Sequence, residues 1–312
     1  MTMLDFALYR NLIHLDTPFS CRAPELTPEG YASLIDILLQ QTTHLDGSAH
    51  TRSTHLGPRD LLYARLISRT PFSLSEDVLE QIDRLLAYEL SQKHLTSIAD
   101  IENTDIKNTD IKNIYQHAHS LTHIALWQGD IATLRADAIV NAANNQLLGC
   151  FQPFHRCIDN VIHASAGPRL RDDCARIIDT QKSLEETGCA KITRGYHLPS
   201  RYVLHTVGPI YNSSVGHDFN ADLLAKSYKS CMETAAQLPA IQSIAFCCIS
   251  TGVFGFPNEA AAQVALHAVS QWLQSYPERF TDIIFNVFLD KDVAIYQKEL
   301  SQRSDYVPRR QD

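Results

Sequence analysis

No stretch of this 312-residue chain approaches the ~18 uninterrupted apolar residues that a membrane-spanning helix requires, so no helical span is expected. A basic stripe is missing as well. Residues 1–120 hold 10 Lys+Arg against 16 Asp+Glu, a balance of −6, and residues 121–312 hold 17 against 19, a balance of −2; together these make the net −8. Without such a stripe, nucleic acid held by phosphate neutralisation is not an expected partner, and any anionic ligand must draw much of its attraction from backbone amides. The opening MTMLDFALYRNLIHLD carries Asp5 and Asp16 and lacks a cleavage-site pattern. No signal peptide is therefore expected, and the compartment expected is cytoplasmic. In a reducing compartment the eight cysteines, at positions 21, 150, 157, 174, 189, 231, 247 and 248, read as core thiols or metal ligands rather than disulfides. The 45% apolar and 20% charged content is that of a soluble globular protein.

Residues 1–120 read as a mainly helical N-terminal extension and linker. Thr27-Pro28 is a helix-start signal, with Tyr31, Leu34, Ile35 and Leu38 on one face beyond it. Ser73…Glu76 reads as a capping box opening a second helix that buries Leu79, Ile82, Leu86 and Leu90. Residues 44–60 between them read as a loop. The tandem NTDIK of residues 103–112 is too short to build a solenoid and reads as a linker or duplication. From residue 121 strand and helix signals alternate. Strands are expected at 124–127, 138–141, 191–197, 202–207, 243–249 and 282–289, with helices at 168–180, 218–238, 257–273 and 292–301. Such alternation predicts an α/β sheet covered by helices on both faces, with ligands at the strand ends. Residues 303–312 are polar and read as a flexible tail.

Three segments at strand ends stand out: Trp127-Gln128-Gly129-Asp130-Ile131, Val140-Asn141-Ala142-Ala143-Asn144, and Ile249-Ser250-Thr251-Gly252-Val253-Phe254-Gly255-Phe256-Pro257. In the last, Gly252 and Gly255 permit close backbone approach and unusual dihedrals, and a helix starts at Pro257, which suits an anion cradle. Alone this reads first as an ordinary strand-to-helix turn, just as Asp130 alone reads as a turn or cap residue. A separate group, Cys150, His155 and Cys157, has C-x4-H-x-C spacing. Two thiolates and an imidazole make a zinc set with one position open, unless His163, Cys174 or Cys189 closes it or the cysteines are merely buried thiols.

Taken together, the three segments resemble the macrodomain family over about residues 121–302. The resemblance implies a three-layer α/β/α sandwich with a mixed central sheet, and binding of ADP-ribose. By that resemblance Asp130 and Ile131 contact adenine, Ser250, Thr251, Gly252, Val253, Phe254 and Gly255 cradle the diphosphate, and Asn144 meets the distal ribose. Asn141 reads as structural; Phe288 reads as an adenine stacker or a core residue. Metal-free hydrolytic members continue with a short Gly-rich run and an aspartate, whereas this chain continues GCFQPFHRCIDN from Gly149. That departure resembles the zinc-dependent branch, in which one Zn2+ per chain is held by residues matching Cys150, His155 and Cys157. Ile158 and Asp159 then fall at the ribose, Asp159 to touch it, to position water or to support the zinc shell. His163 reads as helix packing, and His197 and His205 as satisfied strand histidines.

The activity implied is zinc-dependent hydrolysis of mono-ADP-ribose from proteins at C1 of the distal ribose, through an oxocarbenium-like state, with Asn144 and Asp159 orienting the sugar. The partners implied are a mono-ADP-ribosylated protein, a lipoyl-carrier protein resembling the H protein of glycine cleavage, and a sirtuin-like ADP-ribosyltransferase. The rival readings are a non-catalytic ADP-ribose reader and an O-acetyl-ADP-ribose deacetylase.

Overall fold

The structure, a computed structural model, describes residues 5–45, 56–102 and 114–308. In chain order the helices are α1 (Phe6–Arg10), α2 (Pro28–Gln41), α3 (Pro58–Ser68), α4 (Glu76–Ser91), α5 (Ile98–Glu102), α6 (Ile158–Ala166), α7 (Pro168–Gln181), α8 (His217–Ala236), α9 (Asn258–Ser275) and α10 (Asp290–Gln302). The strands are β1 (Thr96–Ser97), β2 (Ile114–His117), β3 (His123–Gln128), β4 (Leu134–Arg135), β5 (Ala138–Ala142), β6 (Ala190–Arg194), β7 (Tyr202–Thr206), β8 (Ser243–Phe246), β9 (Asp282–Val287) and β10 (Tyr306–Pro308). The described residues fall into two compact units. One draws on Met1–His94, Gln146–Leu184 and Thr193–Leu198, the other on Leu95–Asn145, Glu185–Ile192 and Pro199–Asp312.

The second unit carries an α/β fold with a mixed sheet, as expected from the sequence. Among the described residues the sheet has eight strands in the order β10-β2-β3-β9-β8-β5-β7-β6. Strands β3, β9, β8, β5 and β7 pair in parallel, while β2 and β10 add antiparallel pairing at one edge. The central strands are mainly apolar and buried along nearly their whole length, AIVNA in β5 and SIAF in β8, because parallel strands are covered on both faces. The sheet extends beyond the 121–302 span at both ends. Tyr306, in the segment expected to fray, is 2% exposed and donates its hydroxyl to Leu266 O at 2.6 Å. A large aromatic buried with its hydroxyl satisfied overrides the polar composition around it.

In the first unit, Thr27 caps α2, its hydroxyl accepting from Gly30 N at 3.1 Å, and Pro28 fits the first turn. Leu34, Ile35 and Leu38 of α2 pack with Leu62 of α3 and with Val78, Ile82, Leu85 and Leu86 of α4. The capping box at Ser73 does not form: α4 starts at Glu76 behind Ser75, and the Ser73 hydroxyl donates to Thr70 O. Leu90 is only half-buried. Helix α3 opens at Pro58, inside the segment expected to be a loop, because Pro58 sits comfortably at a first helical position. Residues 46–55 of that loop, the NTDIK repeats and residues 309–312 lie outside the described residues.

Strand ends were overextended in the sequence reading. Strand β6 stops at Arg194, so His197 lies in the following turn, where its Nε2 meets Asp83 Oδ1 at 2.9 Å. Strand β8 stops at Phe246 and β9 at Val287. Beyond β8, Cys247 and Ile249 are buried by loop packing rather than by sheet pairing, whereas Phe288 and Leu289 beyond β9 are exposed.

The N-terminal helices join α7 through a buried ion pair. Arg69 Nη1 donates to Asp172 Oδ1 at 3.0 Å, both side chains are nearly inaccessible, and Phe72 N–H donates to the same carboxylate oxygen at 3.0 Å. Asp172→Ala would leave the guanidinium buried without its partner. An expected loss of about 3–5 kcal/mol follows, measurable as a lower urea midpoint at unchanged slope. A shift below about 1 kcal/mol would show that the pair contributes little to stability.

Candidate active site

Parallel pairing places the C-terminal ends of β3, β9, β8, β5 and β7 along one edge of the sheet, where α/β folds bind ligands. Asp130 follows β3, Phe288 follows β9, Ser250–Gly255 follow β8, Asn144 follows β5 and Gly208 follows β7. From β3 to β5 are three interstrand steps of about 4.8 Å, so the Asp130 and Asn144 loops stand about 14 Å apart across the edge, with the glycine-bearing loop between them.

That middle loop is tightly closed. Thr251 donates to Cys248 O through its N–H (3.4 Å) and its hydroxyl (3.0 Å), Gly255 N–H donates to Gly252 O (3.0 Å), and Phe256 N–H donates to Ser250 O (3.0 Å). Ser250 (φ 66°) and Gly255 (φ 67°) adopt left-handed backbone, which puts a strained non-glycine residue at the loop's entry. Gly252 is not in that region, so its smallness rather than its conformational freedom is what the loop uses. A Cβ built there meets nothing within 4 Å. Among the described residues none accepts from the N–H groups of Gly252, Val253 or Phe254, and the buried Ser250 hydroxyl likewise finds no partner. Helix α9 begins directly behind, at Asn258, with Pro257 as its N-cap. Three undirected amides, an orphaned hydroxyl and a helix start form a concavity suited to a phosphate-type anion.

Sequence reasoning missed Gly208. A Cβ there would stand 2.2 Å from Ser250 Oγ and 2.7 Å from Ile249 Cγ2, so only glycine lets the two loops approach. The signal available was the Gly-Pro pair closing β7. Gly129 has a similar role, since a Cβ would strike the Trp127 ring at 2.3 Å.

Asp130 is exposed and caps a 3-10 turn at Ile131–Thr133, Oδ1 accepting from Ala132 N at 2.9 Å. The cap reading is thus realised, and among the described residues Oδ2 has no partner to occupy it. Ile131 is buried at 1% exposure. Asn141 is structural: it meets His205 Nδ1 at 3.2 Å, inside a core that holds His205 neutral by pushing its pKa down to about 3. Asn144 is half-exposed. Phe288 is 70% exposed, which removes the core alternative for it.

The C-x4-H-x-C segment belongs to the first unit, not the sheet unit. Its three donor atoms come together, all within 4.8 Å of one another, with Cys150 Sγ and His155 Nδ1 3.5 Å apart. A sulfur and a nitrogen sharing one tetrahedral zinc stand about 3.6 Å apart, given Zn–S ~2.3 Å and Zn–N ~2.0–2.1 Å. Among the described residues no fourth His, Cys, Asp or Glu joins this group; Cys174 and Cys189 are buried elsewhere. Burial pushes the Cys157 thiol up to about 12, an amide hydrogen bond from Asn160 opposing this and Cys150 and Asp159 adding to it. Two cysteine sulfurs and an imidazole nitrogen gathered this closely make up a donor set of the kind zinc takes. The donors present therefore fit a zinc ion.

The loop is built from its surroundings. Gly149 has φ +79°, and a Cβ there would strike the His163 ring at 2.7 Å. Cys157 is the N-cap of α6, which puts Ile158 and Asp159 in its first turn; Asp159 is buried, 3.5 Å from His163 Nε2. Residues the sequence reading passed over hold the loop's shape. Asn160 Nδ2 donates to Gln152 O and His155 O, each at 3.0 Å, closing the loop like a clasp. The Arg171 guanidinium lies 4.4 Å from the Phe151 ring centroid, and the Tyr63 ring of α3 packs on Phe154 at 5.2 Å. Burial and then the neighbouring Cys157 and Cys150 raise the Tyr63 hydroxyl's pKa, placing it beside the two thiols. The helical extension thus braces the Cys-His-Cys loop, a relation that contiguous spacing does not reveal.

Residues 140–265 match the family described as "Macro domain". The chain is 42% identical over 245 residues to a protein-ADP-ribose hydrolase of Staphylococcus aureus (strain MRSA252), covering 78% of this chain and 85% of that one. It is 43% identical over 241 residues to a protein-ADP-ribose hydrolase of Treponema medium, covering 77% and 87% respectively. A Trypanosoma brucei macrodomain solved in complex with ADP-ribose matches with a TM-score of 0.55 at 31% identity, covering 76% of this chain and 94% of that one. Among the described residues no helix is long and apolar enough to cross a membrane.

Proposed function

The chain belongs to the macrodomain family, and from that premise we propose that it removes mono-ADP-ribose from proteins, cleaving an oxygen linkage at C1 of the distal ribose with a zinc ion held by Cys150, His155 and Cys157. The observation that carries this reading is the convergence of those three donors within 4.8 Å without a fourth protein donor among the described residues. A binding module has no use for a three-ligand zinc site, whereas catalytic zinc sites commonly have this composition.

In this reading the Gly252, Val253 and Phe254 amides and the Ser250 hydroxyl bind the diphosphate. The unoccupied Asp130 oxygen accepts from the adenine amine, and the Ile131 N–H contacts the ring. Phe288, exposed at the end of β9, covers the adenine face. The bound diphosphate favours positive charge developing at C1. Asn144 and Asp159, with Ile158, are assigned to orienting the distal ribose, as the family resemblance implies. When bound, zinc supplies Lewis acidity and makes water a stronger acid at neutral pH. A lipoyl-carrier protein modified by a sirtuin-like transferase is the first substrate to assay.

The deciding experiment pairs metal analysis with de-ADP-ribosylation of Ser-, Asp/Glu- and Arg-linked substrates. Protein stripped by chelation is expected to lose turnover and to regain it when zinc is returned, with the oxygen-linked substrates cleaved faster than the Arg-linked one. Equal rates for stripped and zinc-loaded protein would remove the catalytic metal. ADP-ribose binding without any turnover would make the protein a reader, and far faster cleavage of O-acetyl-ADP-ribose would make it a deacetylase.

The clasp has its own expected effect. Asn160→Ala frees two carbonyl groups that fold the loop, so zinc affinity should fall about 10–100-fold, as for other residues that orient metal ligands. Competition against a chromophoric chelator reads this directly, and an unchanged zinc Kd would make Asn160 a packing residue only.

A further inference from the structure

The loop between β7 and α8, together with the first turn of α8, exposes three large apolar side chains that the ADP-ribose contacts above do not use: Ile210 (70% exposed) and Val215 (49%) in the loop and Phe219 (57%) in the helix. From Val207 to Gly216 there is no Asp, Glu, Lys or Arg, in a chain of net charge −8. The loop is also held in place. Asn220, 2% exposed, donates to Asn212 O (2.9 Å) and Gly216 O (2.6 Å) and accepts from Asn212 N (3.1 Å), while Asn212 Oδ1 accepts from Ser214 N (2.9 Å). Tyr211 N–H donates to Phe254 O at 2.8 Å, and its ring packs on Phe256 at 5.1 Å, which fastens the loop to the anion cradle. Exposed apolar groups held on a hydrogen-bonded frame lose little freedom on meeting a partner.

Strand order says which partner. With the diphosphate over the end of β8 and the distal ribose over the end of β5, the next strand outward is β7. On that placement the acceptor polypeptide, leaving ribose C1 away from the diphosphate, would run over the end of β7. Resting on the hydrolase reading, we propose that Ile210, Val215 and Phe219 form a ledge that receives apolar side chains flanking the modified residue of the substrate polypeptide, and so select substrates by local sequence.

The test uses the full chain, wild type and Ile210→Ser/Phe219→Ser. Its substrates are a mono-ADP-ribosylated peptide with Leu and Phe beside the modified residue, its counterpart with Asp and Lys there, and ADP-ribose joined to the lone amino acid. Wild type should favour the apolar peptide over the charged one by at least about tenfold in kcat/KM, and the variant should lose that preference through KM. The lone amino acid conjugate should be cleaved equally by both proteins. Equal kcat/KM of the two proteins on the apolar peptide, or a parallel loss on the lone conjugate, would overturn the ledge. If the wild type cleaves nothing, the hydrolase reading fails by itself. Calorimetry then decides the ledge: weaker binding of the apolar peptide with unchanged ADP-ribose affinity upholds it, and unchanged peptide affinity ends it. A variant that only turns a dimer into a monomer in sedimentation, with peptide kinetics intact, would give the ledge to a second copy of the chain and overturn the proposal.

Discussion

Cys157→Ala and His155→Ala are each expected to lower turnover of a mono-ADP-ribosylated protein by about 10³-fold while leaving ADP-ribose affinity within about threefold. The magnitude follows from the several kcal/mol that a Lewis-acid metal contributes, at about 1.4 kcal/mol per tenfold in rate. Affinity should survive because the cradle amides and Asp130 sit on the β8 and β3 loops, which neither substitution touches. The two variants also test each other. With three donors gathered among the described residues, loss of either leaves two, so both should lose zinc together, and combining them should add little further loss. Zinc content by metal analysis, single-turnover kinetics and calorimetry on the same preparations separate the outcomes. Wild-type turnover in a variant shown to contain no zinc would end the proposal that the metal takes part in the chemistry.

Gly252→Glu is expected to reduce ADP-ribose affinity by more than about 100-fold without lowering the melting temperature. A carboxylate about 5 Å from a diphosphate charge repels it by about 3 kcal/mol per charge at an effective dielectric near 20. The backbone should tolerate the change, because Gly252 lies outside the left-handed region and a Cβ there meets nothing within 4 Å. Gly252→Gln, of nearly the same size and uncharged, isolates the electrostatic part and should lose much less. The pair is measured by calorimetry at low and at physiological salt, with the difference between Glu and Gln shrinking as salt rises. Unchanged affinity in Gly252→Glu would place the ligand elsewhere on the protein. Gly208 would make a poor substitute for this test, since a Cβ 2.2 Å from Ser250 Oγ disturbs the fold before it disturbs binding.

How far the sequence could be read depended on whether the cause of each feature was local. Thr27-Pro28 specified the start of α2 because the cap, its hydrogen bond and the first turn all lie within four residues. The capping box at Ser73 failed although its pattern was present, because the chain there turns through Thr70 and helix α4 takes Ser75 as its boundary instead. Strands β2 and β10 were invisible for the opposite reason. Each is three or four residues long, and each exists by pairing with a segment far away in sequence, as Tyr306 does with His117. The overlong strand expectations arise because the apolar pattern runs on past the last ladder pair, whether a loop then buries the residue, as at Ile249, or leaves it exposed, as at Phe288.

For the candidate site, residue type and spacing picked out the Cys-His-Cys group, the cradle segment and the Asp130 turn but left each with an ordinary structural reading, and only the resemblance to the macrodomain family gave them roles. Alone, they could not say that the Cys-His-Cys loop groups with the N-terminal helices, that Asn160 clasps it, that Tyr63 and Arg171 pack on its aromatics, or that Gly208 admits Ser250. Those relations join residues separated by as many as ninety-one positions, as Tyr63 and Phe154 are. Close packing between distant segments is settled by which surfaces fit once the whole chain has condensed, and no local pattern encodes that fit. The chemistry of the donors was thus written in the chain, and their support, exposure and orientation came only with tertiary structure.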